Sequence, residues 1–346
     1  MELWIYTPDY ELMDVCDTAS SIIWTTRARQ CGDFEIYVQA SPEMLALLQE
    51  DRIVSKPGDP YGAIIEKVHI KTDEEFGDFI TATGRSLCSI YDRRIVWEQT
   101  QISGTVENAM RRLVTDAYIS PAIEARKYDK LTLADAHGYT DTVRAQYTGT
   151  VLLEALEKLS AAHGYGFTVK MQGGVLVADF YKGVDRSTGQ SENTPVIFSE
   201  FYDTLITSAY TKDKTLLKNV ALVAGEGEGS ARKRATVTRD STVTGLSRRE
   251  MYIDARDVSS NEGEITDAEY LEQLTQRGIS DLSEATEIES FEGVIQSQQQ
   301  YTFGVDYNLG DLVTVVNKYG VQANAHVLEV MEVWDENGYT CTPTFG

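Results

Sequence analysis

The sequence predicts a mainly β protein of α+β character, with two related antiparallel β-barrel domains, a small α/β middle domain and a helical insertion. Two observations favour this fold class. Short apolar runs rich in β-branched and aromatic residues alternate with polar residues and end at Gly, Asn or Asp, as antiparallel strands do. One such pattern near the amino terminus is repeated near the carboxyl terminus, while helical periodicity is confined to the middle and to one late segment.

The first elements are two strands and a short helix. Alternating residues predict strands over 22–29 and 34–38, joined by a turn at residues 31–33. A helix is predicted to begin after Ser41, because its hydroxyl can cap the first turn and Pro42 suits the first helical position. The repeated unit follows this helix.

The repeat matches residues 48–84 with residues 308–345 at a nearly constant offset. In each copy a strand follows an acidic or Gly–Asp pair, a glycine-containing loop leads to a second strand, and an aromatic residue opens the closing strand. The predicted correspondences are Glu50–Asp51 with Gly310–Asp311, Glu66–Lys67–Val68 with Glu329–Val330, and Phe79 with Tyr339. We therefore expect Asp51 and Asp311 at matching strand starts. The strands predicted in the later copy are residues 312–316, 325–333 and 339–342.

Between the two copies the apolar period becomes helical. Residues 103–117 place apolar side chains at helical spacing behind Thr105, which can cap the helix. Residues 148–163 show the same spacing, and Gly164 is expected to end that helix. The strands predicted beside these helices are residues 167–171 and 175–180.

From residue 195 the chain is rich in strands again. The predicted strands are residues 196–198, 205–210, 217–224, 234–238 and 248–255. Thr266 and Glu269 form a capping-box pattern that opens a helix, which we expect to end at Gly278. A second short helix near Leu282 and a strand over 288–299 then lead back to the repeated unit.

These elements divide the chain into four parts. At 346 residues the chain is long enough for more than one buried core. The first β-barrel domain is assigned to residues 1–97 and the α/β middle domain to residues 98–190. The second β-barrel domain takes residues 191–258 and 288–346, and the helical insertion takes residues 259–287.

Charge and hydropathy limit the classes of function. A net charge of −23 at pH 7 disfavours ordinary nucleic-acid binding, because an acidic surface repels phosphates. The same charge fits a surface past which DNA slides without sticking, and it equally fits a surface whose charge only maintains solubility. The amino terminus lacks the regions of a signal peptide, and no apolar run reaches the length of a membrane helix. We expect synthesis in the cytosol.

Residues with catalytic or metal-binding chemistry are scattered. The four cysteines are Cys16, Cys31, Cys88 and Cys341. They show no C-x-x-C spacing and have no nearby histidine, so we predict no metal site, no cofactor and buried free thiols. Asp254 and Asp257 are a conceivable glycosidase acid pair, but such spacing is a weak signal in a chain with 54 acidic residues. We predict no catalytic residues.

Two further segments have a possible site chemistry and a simpler interpretation. Residues 225–229 are glycine-rich, but a strand follows them instead of the helix that a phosphate loop needs, so a β-hairpin is predicted. The basic run at residues 232–234, together with Arg239, could contact nucleic acid. A solvated face or an intersubunit contact is favoured for so short a run on a hairpin.

A series of short motifs follows in order along the chain. The motifs are residues 21–24 (SIIW), 32–35 (GDFE), 84–87 (GRSL), 92–95 (DRRI), 183–186 (GVDR), 198–200 (FSE), 218–220 (KNV), 245–250 (GLSRRE) and 307–311 (YNLGD). Each motif alone is weak. In this order and over almost the whole length, they resemble the siphophage tail hub family, whose members belong to the tail tip or baseplate.

The resemblance implies a structural, non-enzymatic protein of the virion tail tip, made in the cytoplasm of the bacterial host. It implies a homotrimer in which each chain contributes two β-barrels to a pseudo-sixfold ring that closes the tail tube and lets DNA pass. The implied partners are the distal tail protein ring, the tape-measure protein terminus, and tip fibres or receptor-binding proteins. The residues expected at the oligomer or tube interface are Trp24, Arg27, Phe34, Asp51, Arg93, Arg94, Arg248, Arg249 and Asp311.

Two alternative functions stay open at this point. The first is a tail-tip hydrolase of cell-wall glycan or peptide, and turnover abolished by Asp254→Asn would support it. The second is a receptor-binding tail protein that contacts the host surface through the middle domain or the insertion. Adsorption of the isolated protein to host cells would support this second alternative.

Overall fold

The structure is a computed structural model that describes residues 1–73, 77–202, 204–260, 264–295 and 301–346. Within these ranges the chain is mainly β, with large antiparallel sheets and a smaller helical content. The helices of the described residues are all too short or too polar to cross a membrane.

The strands cover both ends of the chain and much of its middle. They are β1 (Leu3–Tyr6), β2 (Leu12–Cys16), β3 (Ala19–Arg27), β4 (Asp33–Gln39), β5 (Ile53–Ser55), β6 (Gly62–Lys71), β7 (Phe79–Ser86), β8 (Thr100–Thr105), β9 (Leu131–Leu133), β10 (Thr142–Tyr147), β11 (Gly166–Gln172), β12 (Val175–Tyr181), β13 (Ile197–Ser199), β14 (Leu205–Asp213), β15 (Val220–Ala224), β16 (Arg234–Thr238), β17 (Glu250–Asp254), β18 (Ile288–Ile295), β19 (Leu312–Val316), β20 (Gln322–Asp335) and β21 (Gly338–Phe345). The α-helices are α1 (Pro42–Leu47), α2 (Val106–Val114), α3 (Leu152–His163) and α4 (Asp267–Glu284).

The predicted helix ends are confirmed where capping chemistry defines them. The Ser41 hydroxyl accepts a hydrogen bond from the Met44 N–H at the start of α1. The Thr105 hydroxyl accepts one from the Asn108 N–H at the start of α2. Gly164 ends α3 with a φ of 72°, a left-handed conformation that glycine adopts without strain.

The largest sheet has 13 strands and runs through both ends of the chain. Its hydrogen-bonded order is β14-β18-β21-β20-β3-β4-β7-β6-β5-β1-β2, and β19 joins β20 with β13 on its other side. We call β1–β7 the first half-sheet, and β13, β14 and β18–β21 the second half-sheet. Pairing among the described strands follows an open path, and closure into two barrels stays a prediction.

The two half-sheets repeat one strand order. The first reads β3-β4-β7-β6-β5-β1, and the second reads β14-β18-β21-β20-β19-β13. Bulges occur at matching places, after Ile65 in β6 and Val327 in β20, and after Ala19 in β3 and Leu205 in β14. The half-sheets differ at their last pair, because β1 runs antiparallel to β5 whereas β13 runs parallel to β19. The described strands therefore follow the repeat that the sequence predicts.

The residues of the two copies that correspond in the structure differ by one position from the predicted pairs. The Asp51 N–H donates to Ile65 O at 2.8 Å, and the Gly310 N–H donates to Val327 O at 2.7 Å. Asp51 and Gly310 also share a positive φ, 63° and 86°, so these two residues correspond. Asp311 stands one residue later, and its predicted match with Asp51 is wrong.

The other predicted pairs are also displaced by one residue, toward the amino terminus for Glu66 and toward the carboxyl terminus for Phe79. Glu66 matches Leu328, because each stands at the bulge where its strand changes register with the next. Phe79 pairs with Lys71 of β6, and Thr340 pairs with Val333 of β20. Lys71 and Val333 correspond, so Phe79 matches Thr340 and not Tyr339. The bulges occur at matching places and leave this alignment unchanged. The hairpin loops between the paired strands differ in length from one copy to the other, and this difference displaces the correspondence.

Residues 214–287 lie between β14 and β18, at the position of the short β3–β4 turn in the first half-sheet. They form a separate sheet of order β16-β15-β17, against which α4 packs around buried Tyr270 and Leu274. The predicted strand over 288–299 is present as β18 up to Ile295, and its continuation lies outside the described residues. The predicted domain boundaries themselves stay a prediction.

The helix of this inserted segment is longer than predicted. Its capping box is present, with Thr266 and Glu269 bonded reciprocally. However, α4 continues through Gly278 to Glu284, so the predicted end at Gly278 and the second short helix near Leu282 are wrong. Gly278 permits close packing on the sheet, because a Cβ at this position would lie 2.5 Å from Cγ2 of Val237.

The middle of the chain contributes two small sheets, β8–β10 and β11-β12-β9, together with α2 and α3. Their apolar side chains, including buried Met110, Leu156 and Phe167, form one core with Ile53 and Ile64 of the first half-sheet. The half-sheets have cores of their own, around Ile36 in the first and Phe345 in the second. The predicted α/β composition of this region is observed.

Candidate functional site

The two half-sheets meet where β20 pairs with β3. Residues 22–27 of β3 run antiparallel to residues 329–334 of β20, and we call this pairing the seam. With 14 residues, β20 is long enough to pair with β19 through its first part and with β3 through its second part. The seam is thus a continuous backbone ladder between two similar units.

The Arg27 guanidinium joins the two strands at one end of the seam. Its Nε donates to Glu329 Oε2 at 2.5 Å, and its Nη1 donates to Asp33 Oδ2 at 2.5 Å and to Cys31 O at 2.9 Å. The Arg27 side chain is only 27% exposed, which shields these ion pairs from the full dielectric of water. Arg27 therefore holds together the half-sheets of a single chain.

A lysine between two tryptophans stabilises the other end of the seam. Lys56 Nζ donates to Glu332 Oε2 at 2.6 Å and lies 5.8 Å from the ring centroids of both Trp24 and Trp334. The Tyr339 hydroxyl donates to Glu332 Oε1 at 2.9 Å. Glu332 is buried, so this set of partners compensates a charge that would otherwise be costly to remove from water.

Trp24 and Phe34 pack beside the seam within the core of the first half-sheet. Both are buried, and their rings stack with centroids 5.6 Å apart. Tyr210 and Phe291 form the corresponding ring pair in the second half-sheet, with centroids 4.8 Å apart. The aromatic pair is thus part of the repeated unit.

Asp51 and the two arginines at 93 and 94 lie at the opposite side of the first half-sheet. Asp51 Oδ1 accepts a hydrogen bond from Arg93 Nη2 at 3.1 Å, and both side chains are well exposed. The Arg94 guanidinium lies 4.9 Å from the Tyr118 ring centroid, so it packs on the middle of the chain.

Asp311 is a buried anchor at the start of β19. Its carboxylate accepts hydrogen bonds from the Val184 N–H at 2.7 Å, from Arg186 Nε at 3.0 Å and from the Asn308 N–H at 2.9 Å. Asp311 is 2% exposed. It therefore connects the segment that follows β12 to the second half-sheet.

Arg248 and Arg249 belong to the inserted segment and lie away from the seam. Arg248 Nε donates to Glu250 Oε1 at 2.5 Å, and Arg249 Nη1 donates to Lys214 O at 2.5 Å. The Arg249 N–H also donates to Asn219 Oδ1 at 2.7 Å. These contacts orient the start of β17 beside β15.

The structure brings together only some of the predicted interface residues. Trp24, Arg27 and Phe34 share the two neighbouring strands β3 and β4. Asp51 pairs with Arg93, whereas the other predicted residues lie in separate surroundings. The seam residues that the sequence analysis missed are Lys56, Glu329, Glu332 and Trp334. Alternation in β20 marks Glu329 and Glu332 as strand residues, but it does not identify the strand that pairs with them. Lys56 lies just after β5, outside any strand.

The proposed acid pair of a glycosidase does not have the required chemistry. Asp254 accepts hydrogen bonds from Arg256 and Arg232, which lower the pKa of Asp254 to about 2. Asp257 Oδ2 pairs with Arg277 Nη1 at 2.9 Å. A glycosidase acid needs a carboxyl group that stays protonated, and Asp254 is held ionised.

The basic run at residues 232–234 is engaged within the inserted segment. Arg232 pairs with Asp254 and also donates to two backbone carbonyl groups, while Lys233 pairs with Asp267 at 2.7 Å. Within the described ranges, no group of three or more His, Cys, Asp or Glu side chains is arranged to hold a metal ion.

Comparison with known families decides to which group of proteins this chain belongs. A family model described as Siphovirus ReqiPepy6 Gp37-like protein matches residues 2–346. The chain belongs to this siphovirus tail protein family. The resemblance to siphophage tail proteins stated from the sequence motifs is therefore confirmed. A search of curated proteins finds no match.

Solved tail proteins share the fold of this family member. The 43 kDa tail protein of prophage MuSo2 from Shewanella oneidensis has a TM-score of 0.60 at 14% identity, covering 100% of this chain and 98% of its own. A tail protein from Neisseria meningitidis MC58 has a TM-score of 0.60 at 14% identity, covering 99% and 95%. Prophage tail protein gp18 from Listeria monocytogenes EGD-e has a TM-score of 0.55 at 11% identity, covering 99% and 94%.

Proposed function

We propose that this siphovirus tail protein is the hub of the tail tip, a structural protein that forms a trimeric, pseudo-sixfold ring at the end of the tail tube. The observation that carries the proposal is the repeated strand order of the two half-sheets and their direct pairing at the seam. A trimer of such chains presents six similar units. It can therefore dock on a sixfold tube although it has only threefold symmetry.

The ring would consist of the half-sheets, each curved further into a barrel around the channel. The middle of the chain and the inserted segment 214–287 would lie outside the ring. The inserted segment follows β14 and has a core of its own, whereas the middle of the chain follows β7 and packs in one core with residues of β5 and β6. We propose that these outer parts contact tip fibres or receptor-binding proteins, while the ring contacts the distal tail protein ring and the tape-measure protein terminus.

The charge of the chain supports passage of DNA through such a ring. A net charge of −23 per chain is repeated in every copy of the trimer. Negative charge along a channel repels phosphates and prevents the DNA from adhering during ejection. The hub would close the tube before infection and open it on contact with the host.

Imaging of purified tails tests the proposal. We expect electron cryomicroscopy to show a ring of six similar densities at the tail tip, with three outer projections and a central channel. A tip that contains one copy of this chain, or a position of the chain along the tube wall, would contradict it. Labelling the chain with a carboxyl-terminal tag gives the position independently.

A tail-tip hydrolase is the competing function, and the ionised state of Asp254 disfavours it. We expect purified protein to release no soluble fragments from host cell walls at neutral pH. Turnover that Asp254→Asn abolishes, with Asp240→Asn as the control at another exposed acidic residue, would overturn the structural assignment.

A further inference from the structure

The seam uses one strand from each half-sheet, and in the part of the chain that the structure describes the counterparts of these two strands each have an unpaired edge. In the repeated order, β6 corresponds to β20 and β14 corresponds to β3. Within the described residues, β14 pairs on one side with β18, and the second part of β6 pairs only with β7. An exposed strand edge is a ready template for pairing with another chain.

The bulges give the register in which these two edges would meet. Lys67 directly follows the β6 bulge, as Glu329 directly follows the bulge in β20. Tyr210 of β14 corresponds to Trp24 of β3, because each pairs with the equivalent phenylalanine of the next strand. Asp213 follows Tyr210 by the same number of residues as Arg27 follows Trp24, so Asp213 corresponds to Arg27. The pairing of Arg27 with Glu329 in the seam thus has a counterpart in Asp213 and Lys67.

We propose that β6 of one chain pairs antiparallel with β14 of a second copy, with Lys67 opposite Asp213, and that this contact is the intermolecular seam of the ring. The proposal rests on the trimeric ring proposed above and specifies its interface. Each chain would then use the seam once within itself and once with each neighbour. Repetition of one contact around the ring makes the six units similar in their surroundings.

The facing side chains complement each other at this register. Lys67 is exposed, and within the described residues neither it nor Asp213 has an ion-pair partner. The Asp213 Oδ1 accepts hydrogen bonds from the N–H and the hydroxyl of Thr215. In the internal seam the positive Arg27 belongs to β3 and the negative Glu329 belongs to β20. In the proposed contact the signs are exchanged, because the counterpart of β3 carries the negative Asp213 and the counterpart of β20 carries the positive Lys67. Opposite charges placed directly across two strands stabilise the pairing.

Apolar contact accompanies the charge pair. At the same register Ile70 stands opposite Tyr210, as Glu332 stands opposite Trp24 in the internal seam. Ile70 is 44% exposed in the single chain, so its side chain is accessible for such a contact. An aromatic residue opposite a β-branched residue is a favourable cross-strand pair.

Disulfide cross-linking tests the register. His69 and Thr211 stand opposite each other at this pairing, and opposed residues in antiparallel strands lie within the Cα separation that a disulfide spans. The double variant His69→Cys/Thr211→Cys should form covalent dimers and trimers on oxidation, both in concentrated protein and in assembled tails. The native cysteines are buried, so the introduced thiols are the accessible ones.

The control pair is His69→Cys/Thr207→Cys, because Thr207 lies on the same face of β14 but about 13 Å out of register. It should give no covalent trimer. A trimeric hub without the His69–Thr211 cross-link would overturn the seam and leave the ring proposal standing. The absence of a trimer from assembled tails would instead overturn the ring itself, and the seam with it.

Charge reversal provides a second, independent measurement. Lys67→Asp should weaken trimer formation several-fold, since it places two carboxylates opposite each other at all three intermolecular seams. The double variant Lys67→Asp/Asp213→Lys should restore trimer formation. Weakening by the single variant without recovery in the double variant would show that Lys67 does not face Asp213.

Discussion

At the scale of single residues, the buried thiols make a simple probe of the fold. Burial raises the pKa of Cys88 to about 12 and raises the pKa values of Cys16, Cys31 and Cys341 as well. Since the thiolate is the reactive form, these thiols stay unreactive around neutral pH while the chain is folded.

We expect a disulfide reagent at pH 8 to label the native protein slowly and the unfolded protein rapidly, with four thiols per unfolded chain. The reason is that unfolding removes burial and lowers each thiol pKa to its ordinary value of about 8.5. The absorbance of the chromophore that the reagent releases gives the rate of labelling with and without denaturant. Rapid labelling of one thiol in the native protein would show that its surroundings are open to water.

The stability of the seam depends on the pairing of the buried carboxylate of Glu332. Lys56→Met removes its cation and should lower the free energy of unfolding by about 3 kcal/mol, because it leaves a buried charge unpaired. The double variant Lys56→Met/Glu332→Leu should be less destabilised than the single one. Urea unfolding followed by tryptophan fluorescence measures both variants.

Lys127→Ala is the matched control, since Lys127 pairs with Asp129 at an exposed site. We expect this change to alter the free energy of unfolding by less than about 0.5 kcal/mol. If Lys56→Met were equally mild, the Lys56–Glu332 contact would contribute nothing to the joining of the half-sheets.

At the scale of elements, packing of α4 on its sheet competes with helix propensity. Ala is a better helix former than Gly by about 1 kcal/mol, so propensity alone predicts that Gly278→Ala stabilises the protein. A Cβ at Gly278 would however lie 2.5 Å from Val237 and 2.8 Å from Val223. We expect a net loss of stability of about 1 kcal/mol, because overpacking outweighs propensity.

The comparison for this helix is Gln276→Ala, on the same element but less buried than Gly278. It should change the free energy of unfolding by less than about 0.5 kcal/mol. Thermal or urea unfolding of the two variants separates packing from propensity. An increase in stability for Gly278→Ala would mean that α4 moves away from the sheet at little cost.

At the scale of the whole molecule, net charge governs behaviour toward DNA. With a net charge of −23 at pH 7, the chain repels the phosphate backbone of DNA. We expect a dissociation constant for duplex DNA above about 10⁻⁴ M at physiological salt, measured by fluorescence anisotropy. Tight binding that weakens steeply with added salt would identify a basic surface on the assembled protein and would contradict the proposed channel.

Sequence alone predicted the elements whose signals are local. Ser41, Thr105 and Gly164 mark helix ends because capping depends on residues three or four positions away. Strand β19 was predicted with its observed ends, since alternation and flanking turns depend only on neighbours. The repeat was visible for the same reason, although loops of unequal length displaced its alignment by one residue.

Only the tertiary structure decided which strands pair and which charges meet. The order of residues in β3 and β20 does not reveal that Arg27 faces Glu329, because the two strands are joined only by long-range folding. Gly278 resembles a helix stop in sequence, and the sheet beneath α4 is what gives it a place inside the helix. The sequence by itself thus determined the repeated elements and the tail protein family. Backbone pairing between distant strands determined the seam, because the fold as a whole sets the hydrogen-bond partners in a sheet.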